Sequence, residues 1–155
     1  MKQTFRNIPL ALFTFVILLL ASCSPEACFE ETNAFLKASM YLQVTGKNVA
    51  PDSITLYGLT RETDKIYKRS TAVKVAKMPL NASASSCSFV IKINGVYDTI
   101  TFEYSSYLHL ISKECGYTFY HMIDTTLYTR NIIDTVRITS SRVTTLNEEN
   151  IRIYY

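Results

Sequence analysis

The chain has 155 residues, with 16 Lys and Arg against 13 Asp and Glu, giving a formal charge of +3. Its basic residues are scattered, so there is no cationic stripe of the kind that binds nucleic acid. The four glycines are isolated and make no Gly-rich loop for a phosphate, and the length suits one domain with a real core, not two large ones.

Lys2 and Arg6 give a short cationic start, and Ile8 to Leu20 is apolar apart from Pro9 and Thr14. This is a signal-peptide layout over residues 1–22; the run is too short for a spanning helix, which needs about 20 apolar residues. Leu20-Ala21-Ser22-Cys23 resembles the lipobox of bacterial lipoproteins, in which a branched apolar residue and two small residues precede a cysteine. The resemblance implies cleavage before Cys23 and acylation of its thiol. Two or three acyl chains, at about 0.8 kcal/mol per buried methylene, anchor a protein permanently, whereas one does not. Removing residues 1–22 would leave 133 residues with a charge of +1 and, besides the acylated Cys23, three cysteines.

Residues 23–34, CSPEACFEETNA, are polar and read as a tether between lipid and domain. From there to the end, Val, Ile, Thr, Tyr and Phe dominate, and period-two alternation recurs in SITLYGL, AVKVAKM, SFVIKI, DTITFEY, YLHLIS, YTFYHMI, TVRITS and NIRIYY. Ile93-Asn94-Gly95-Val96 predicts a type I′ hairpin joining antiparallel strands 87–93 and 97–104, because both central residues of that turn take positive φ. Strand signals every ten residues or so, with no helical period, predict an all-β domain over 35–155. Its expected form is an antiparallel two-sheet β-sandwich, with an immunoglobulin-like version among the options, although the Cys-Trp-Cys signature is missing and the chain has no Trp. The alternating final residues, Ile151 to Tyr155, are expected to be tied into a sheet.

With Cys23 assigned to lipid, Cys28, Cys87 and Cys115 permit one bridge and one leftover thiol in an oxidising compartment. Spacing alone leaves all three pairings open. None has the close spacing of a zinc knuckle or a redox motif, so no metal and no thiol chemistry are expected.

From Tyr97 onward, Asp98 to Phe102 (DTITF), Glu114-Cys115-Gly116-Tyr117 and the alternating final strand succeed one another, with Cys28 shortly after the lipobox. This order resembles an uncharacterised family of small cell-envelope lipoproteins from Bacteroidota. The resemblance covers about 60 residues well. It implies the pairing of Cys28 with Cys115, since Cys87 is not part of the shared pattern, and it implies no activity.

His109 and His121, with Glu103, Glu114 and Asp124 near them in sequence, are the raw material for a metal or acid–base site, but lone histidines on separate strands are more often structural. No Ser lies in a nucleophile elbow, so no catalytic residue and no cofactor are expected. Eleven tyrosines make an aromatic ligand face conceivable, with Tyr104, Tyr107, Tyr117, Tyr120 and Tyr128 as candidates, although half-buried sheet positions account for tyrosine equally well. Asp-Ser/Thr steps at Asp52-Ser53, Asp98-Thr99, Asp124-Thr125 and Asp134-Thr135 resemble the O-glycosylation acceptor motif of Bacteroidota, which makes Ser53, Thr99, Thr125 and Thr135 candidate glycan sites; ordinary strand-entry turns explain the same pattern.

The sequence therefore predicts a non-enzymatic, lipid-anchored envelope protein acting as a structural or protein-interaction module. The alternative is a sandwich that binds a glycan or peptide. Expected partners are the membrane, through the lipid, and an envelope protein, but no nucleic acid. Ser24 after the lipid cysteine is unlike an inner-membrane retention signal, which favours the outer membrane by analogy and leaves its face open. Oligomeric state has no sequence signature here.

Overall fold

The computed structural model describes residues 27–155, and Cys23 with the signal sequence lies outside them. Every regular element among the described residues is a strand. In chain order they are β1 (Phe35–Leu42), β2 (Lys47–Asn48), β3 (Ile54–Gly58), β4 (Lys65–Ser70), β5 (Val75–Pro79), β6 (Ser86–Ile93), β7 (Val96–Ser112), β8 (Gly116–Tyr128), β9 (Thr135–Ile138), β10 (Arg142–Val143) and β11 (Ile151–Tyr154).

Two sheets face each other as a sandwich. One has the order β2-β1-β11-β9, with β5 beside β2 on the same edge of β1; the other has the order β10-β8-β7-β6-β3-β4. Alternation supplies the core from both. Leu36, Ala38 and Met40 of β1, Ala76 and Met78 of β5, and Ile151 and Ile153 of β11 point inward from the first sheet. They meet Ile54, Leu56, Phe89, Ile91, Ile93, Ile100, Phe102, Tyr104 and Ile123 of the second. At the predicted hairpin, Asn94 and Gly95 have φ of 49° and 96°, and the strands pair from Ile93↔Val96 to Ser86↔Glu103.

Three features differ from the expectation. First, β1 and β11 run parallel, Ala38 facing Ile151 and Tyr41 facing Tyr154, in a fold otherwise paired antiparallel. The final strand is thereby enclosed between β1 and β9. Second, β6, β7 and β8 are consecutive neighbours in one sheet, whereas immunoglobulin connections send successive hairpins across the sandwich; the immunoglobulin-like version is set aside. Third, the tether ends earlier than residue 34. Cys28 is bonded to Cys115, the Thr118 hydroxyl donates to the Thr32 carbonyl at 2.7 Å, and Ala34 packs on the core. Residues from 28 onward therefore belong to the folded unit.

Two buried polar side chains close the structure. Asn150 links the sheets: its Oδ1 accepts from the Lys37 N–H at 2.9 Å on β1, while its Nδ2 donates to the Arg142 carbonyl at 2.8 Å on β10. Asp98, 2% exposed, gathers the loop after β8. One of its oxygens accepts from the Thr129 hydroxyl and the Asn131 N–H, and the other from the N–H groups of Ile132 and Ile133 at 2.8 and 2.9 Å. Burial pushes this carboxyl up, but those four donors outweigh it and hold the group below the ordinary carboxylate range. The loop so gathered seats Ile133 in the core.

Candidate functional site

Two surface features stand out, at opposite ends of β7. The first is the distal half of the β7–β8 hairpin. β6 accompanies β7 only as far as Glu103, and β10 meets β8 only at His121 and Met122. Beyond those points the two strands continue as a ribbon to a turn containing Cys115, whose N–H is held by the Ser112 hydroxyl at 3.1 Å. A register shift between Glu103 and Tyr104 lies near the root of this ribbon. Such bulges bend a strand and re-aim the side chains beyond them.

The ribbon has two unlike faces. Tyr107 opposes Tyr120 and His109 opposes Thr118 on one. There the Tyr107 and Tyr120 rings meet edge-on at 6.1 Å, His109 stacks on Tyr120 at 4.2 Å, and the Tyr120 hydroxyl reaches Thr145. With Glu30 and Arg142 these residues line a shallow depression of about 390 Å³. On the other face Leu108 opposes Phe119 and Leu110 opposes Tyr117. This second face continues the inward-facing row of Tyr104 and Ile123, yet it is open to solvent, from 45% for Phe119 to 66% for Tyr117. Phe29, 91% exposed, comes directly after the disulfide cysteine at the same tip.

The second feature is a groove of about 550 Å³ on the outer surface of β6, β3 and β4. Its floor includes Thr55 and Tyr57, which alternate with the core residues Ile54 and Leu56. Lys65, Lys68, Arg69 and Lys92 line it, with Glu62 the one carboxylate among them. Lys65 Nζ lies 5.4 Å from the Tyr57 ring centre, and Lys92 Nζ lies 4.3 Å from that of Tyr97, to whose hydroxyl it also donates. Burial raises the Tyr57 hydroxyl above its ordinary value. Cations over aromatic rings around a concave floor make a site suited to an anionic group.

The five candidate tyrosines do not share a face. Tyr107 and Tyr120 do, and Tyr117 lies on the opposite side of the ribbon. Tyr104 is in the core, its hydroxyl donating to the Asn81 carbonyl and accepting the Asn81 N–H. Tyr128 pairs with Ile100, far from the tip, with Arg130 beside its ring. The ligand face drawn from sequence is therefore corrected to the Tyr107–Tyr120 pair, because the ribbon alternates and the strand root turns Tyr104 inward.

The histidines are also apart. His121 is buried on the inner face, its Nδ1 paired with the Ser106 hydroxyl at 2.8 Å, and burial lowers its pKa. His109 is on the outer face. No group of three or more His, Cys, Asp or Glu among the described residues is placed to hold a metal ion. Among the described residues Cys87 is the free thiol, half-buried on β6, and burial raises its pKa.

Of the candidate glycan positions, Thr125 is exposed beside the exposed Asp124. Ser53 is half-buried at the basic groove, and Thr135 is half-buried where β9 pairs with β11. Thr99 comes after the buried Asp98, whose carboxylate is fully engaged.

A family model described as a family of unknown function, DUF6452, matches residues 53–155. The chain belongs to DUF6452. The DUF6452 match takes in β3 to β11, and with them the ribbon, the groove and Asp98; β1, β2 and Cys28 precede it. No curated protein and no solved structure matches the chain. Sequence reasoning missed both the basic groove and the role of Asp98. The groove's cations come from two strands far apart in sequence, β4 and β6, and Asp98 meets its partners 31 to 35 residues away.

Proposed function

We propose that this DUF6452 protein is a lipid-anchored lipoprotein of the bacterial cell envelope, held at the outer membrane, that works as a non-enzymatic interaction module. The lipobox-like Leu20-Ala21-Ser22-Cys23 and the resemblance to Bacteroidota lipoproteins support the anchor. The observation that carries the interaction reading is the uncovered apolar face of Leu108, Leu110, Tyr117 and Phe119. Apolar residues in contiguous cross-strand pairs, on a ribbon that leaves the body of the domain, are a surface made for contact. The anchor is tested by intact mass of the protein from its native host: peptide from Cys23 plus acyl chains is expected, and an unmodified Cys23 refutes it. The contact surface is tested by a photoreactive residue in place of Leu108. Adducts are expected at 108 and not at 97, and equal labelling at both refutes it.

The basic groove favours a second reading, binding of an anionic glycan or peptide by Lys65, Lys68, Arg69 and Lys92. Loss of binding to an acidic-oligosaccharide array in Arg69→Ala and Lys92→Ala tests it, and no binding by the wild type refutes it. Among the glycan positions the exposed Thr125 is the one we propose for O-glycosylation. An intact mass equal to peptide plus lipid excludes it.

A further inference from the structure

We infer that the apolar face of the β7–β8 ribbon lies in the interfacial layer of the same bilayer that holds the lipid, so that the domain is seated on the membrane and does not swing from it. This rests on the reading of Cys23 as the lipidated residue.

The disulfide limits how far the ribbon can stand from the lipid. Cys28 is bonded to Cys115 at the ribbon tip, their Cα atoms 4.8 Å apart. Cys23 lies five residues ahead of Cys28, and five residues reach about 18 Å at full extension. Tyr117 is two residues beyond Cys115, in register with Leu110. The apolar face is thus leashed close to the bilayer surface whatever path the leash takes. A leash that short gives a high effective concentration, under which even weak membrane affinity keeps the face engaged.

Its chemistry fits that layer. Leu, Phe and Tyr are the side chains that settle at the boundary between headgroups and acyl chains, apolar body inward and hydroxyl toward water. The face holds two Leu, one Phe and one Tyr, without a charged member, while the reverse side carries His109, Thr118 and the hydroxyls of Tyr107 and Tyr120. A second copy of the chain is a poorer occupant. Four half-exposed side chains offer on the order of 400 Å², about half of the 800 Å² per partner typical of a stable interface.

The test uses the full chain, made with its own signal in a lipoprotein-processing host and reconstituted into phosphatidylcholine vesicles with brominated acyl chains. Zwitterionic lipid is chosen because Glu30, Glu31 and Glu114 flank the tip. The chain has no Trp, so Tyr117→Trp and Phe119→Trp each create a single reporter at an exposed position, and Tyr97→Trp creates one at the other end of β7. Interfacial seating places a side chain about 5–10 Å into the boundary, and indole emission at 117 and 119 is expected to fall about twofold in brominated vesicles. Emission at 97 is expected to stay unchanged. If the chain floats with the vesicles and no reporter is quenched, the anchor stands and this inference fails. If the chain does not float, or if it floats with no acyl mass on Cys23, the lipid anchor itself is refuted. A blue-shifted, unquenched indole at 117 together with self-crosslinking assigns the face to a second copy and overturns the inference.

Discussion

Replacing Asp98 by asparagine keeps the shape of the side chain and removes only its charge and one acceptor, yet it should be among the most damaging single changes in this protein. The reason is the split of its four donors, two on each oxygen. Whichever way the amide is turned, its NH₂ faces two donors, so two hydrogen bonds are lost and the groups left behind are buried. Hydrogen bonds to a charged acceptor contribute about 1.5–3 kcal/mol each, which puts the cost of Asp98→Asn at about 3–5 kcal/mol. A domain of this size has about 5–15 kcal/mol in all. In urea, with a slope of about 1–3 kcal/mol per molar, the midpoint at pH 7 should fall by about 2 M. Unfolding is monitored by circular dichroism. The pH dependence gives an independent check: because the folded-state pKa is lowered, the unfolded chain takes up this proton first, and the contribution is present above the ordinary carboxylate range and lost as pH falls through the folded value. Wild type should lose stability across that window and Asp98→Asn should lose less. A midpoint shift under about 0.3 M at pH 7 would refute the assignment of these bonds as the clamp on the loop.

Three further substitutions probe the same geometry. Cys28→Ser/Cys115→Ser opens a loop of 87 residues and should cost about 4.5 kcal/mol in the chain-entropy model, measured as a matching loss when wild type is reduced. Asn150→Ala leaves the Lys37 N–H and the Arg142 carbonyl without a side-chain partner, at about 1–3 kcal/mol for each group left unsatisfied; faster amide exchange at Lys37 is the specific readout, and unchanged exchange would show that water replaces the clamp. Gly95→Ala meets no atom within 4 Å, so its cost comes from backbone alone at φ +96°. About 1–2 kcal/mol is expected in thermal unfolding, with the ribbon and core otherwise unchanged.

Local rules with a short reach were the ones readable in the sequence. Asn94-Gly95 announced its turn, alternation in SFVIKI and NIRIYY announced β6 and β11, and the resemblance carried the Cys28–Cys115 pairing. Where the sequence reading fell short, the cause was long range. DTITFEY and YLHLIS read as two strands, but Ser105 and Ser106 continue the ladder, opposite Met122 and His121, and the two runs are one 17-residue β7. The run FLKASMYL was not singled out as a strand, yet β1 is central to its sheet, because a strand whose partners are Pro79 to Val75 and Ile151 to Tyr154 carries no local sign of them. The apolar ribbon face was hidden for a related reason: Leu108 and Leu110 have the alternation of core residues, and only the absence of a covering strand exposes them.

The parallel pairing of β1 with β11 is the longest-range seam in the fold. The β6–β7–β8 meander joins neighbours in sequence and can zip as each turn closes, whereas β1 and its parallel partner β11 are separated by nearly the whole domain. Closing a loop of that length is a late and slow event. Leu36, Ala38 and Met40 lie on the strand this pairing completes, with β5 and β2 along its other edge. The bond from Cys28 to Cys115 ties the segment leading into β1 to the tip of the β7–β8 hairpin, so the strand with the most distant partner is also the one fastened covalently to the most local part of the fold.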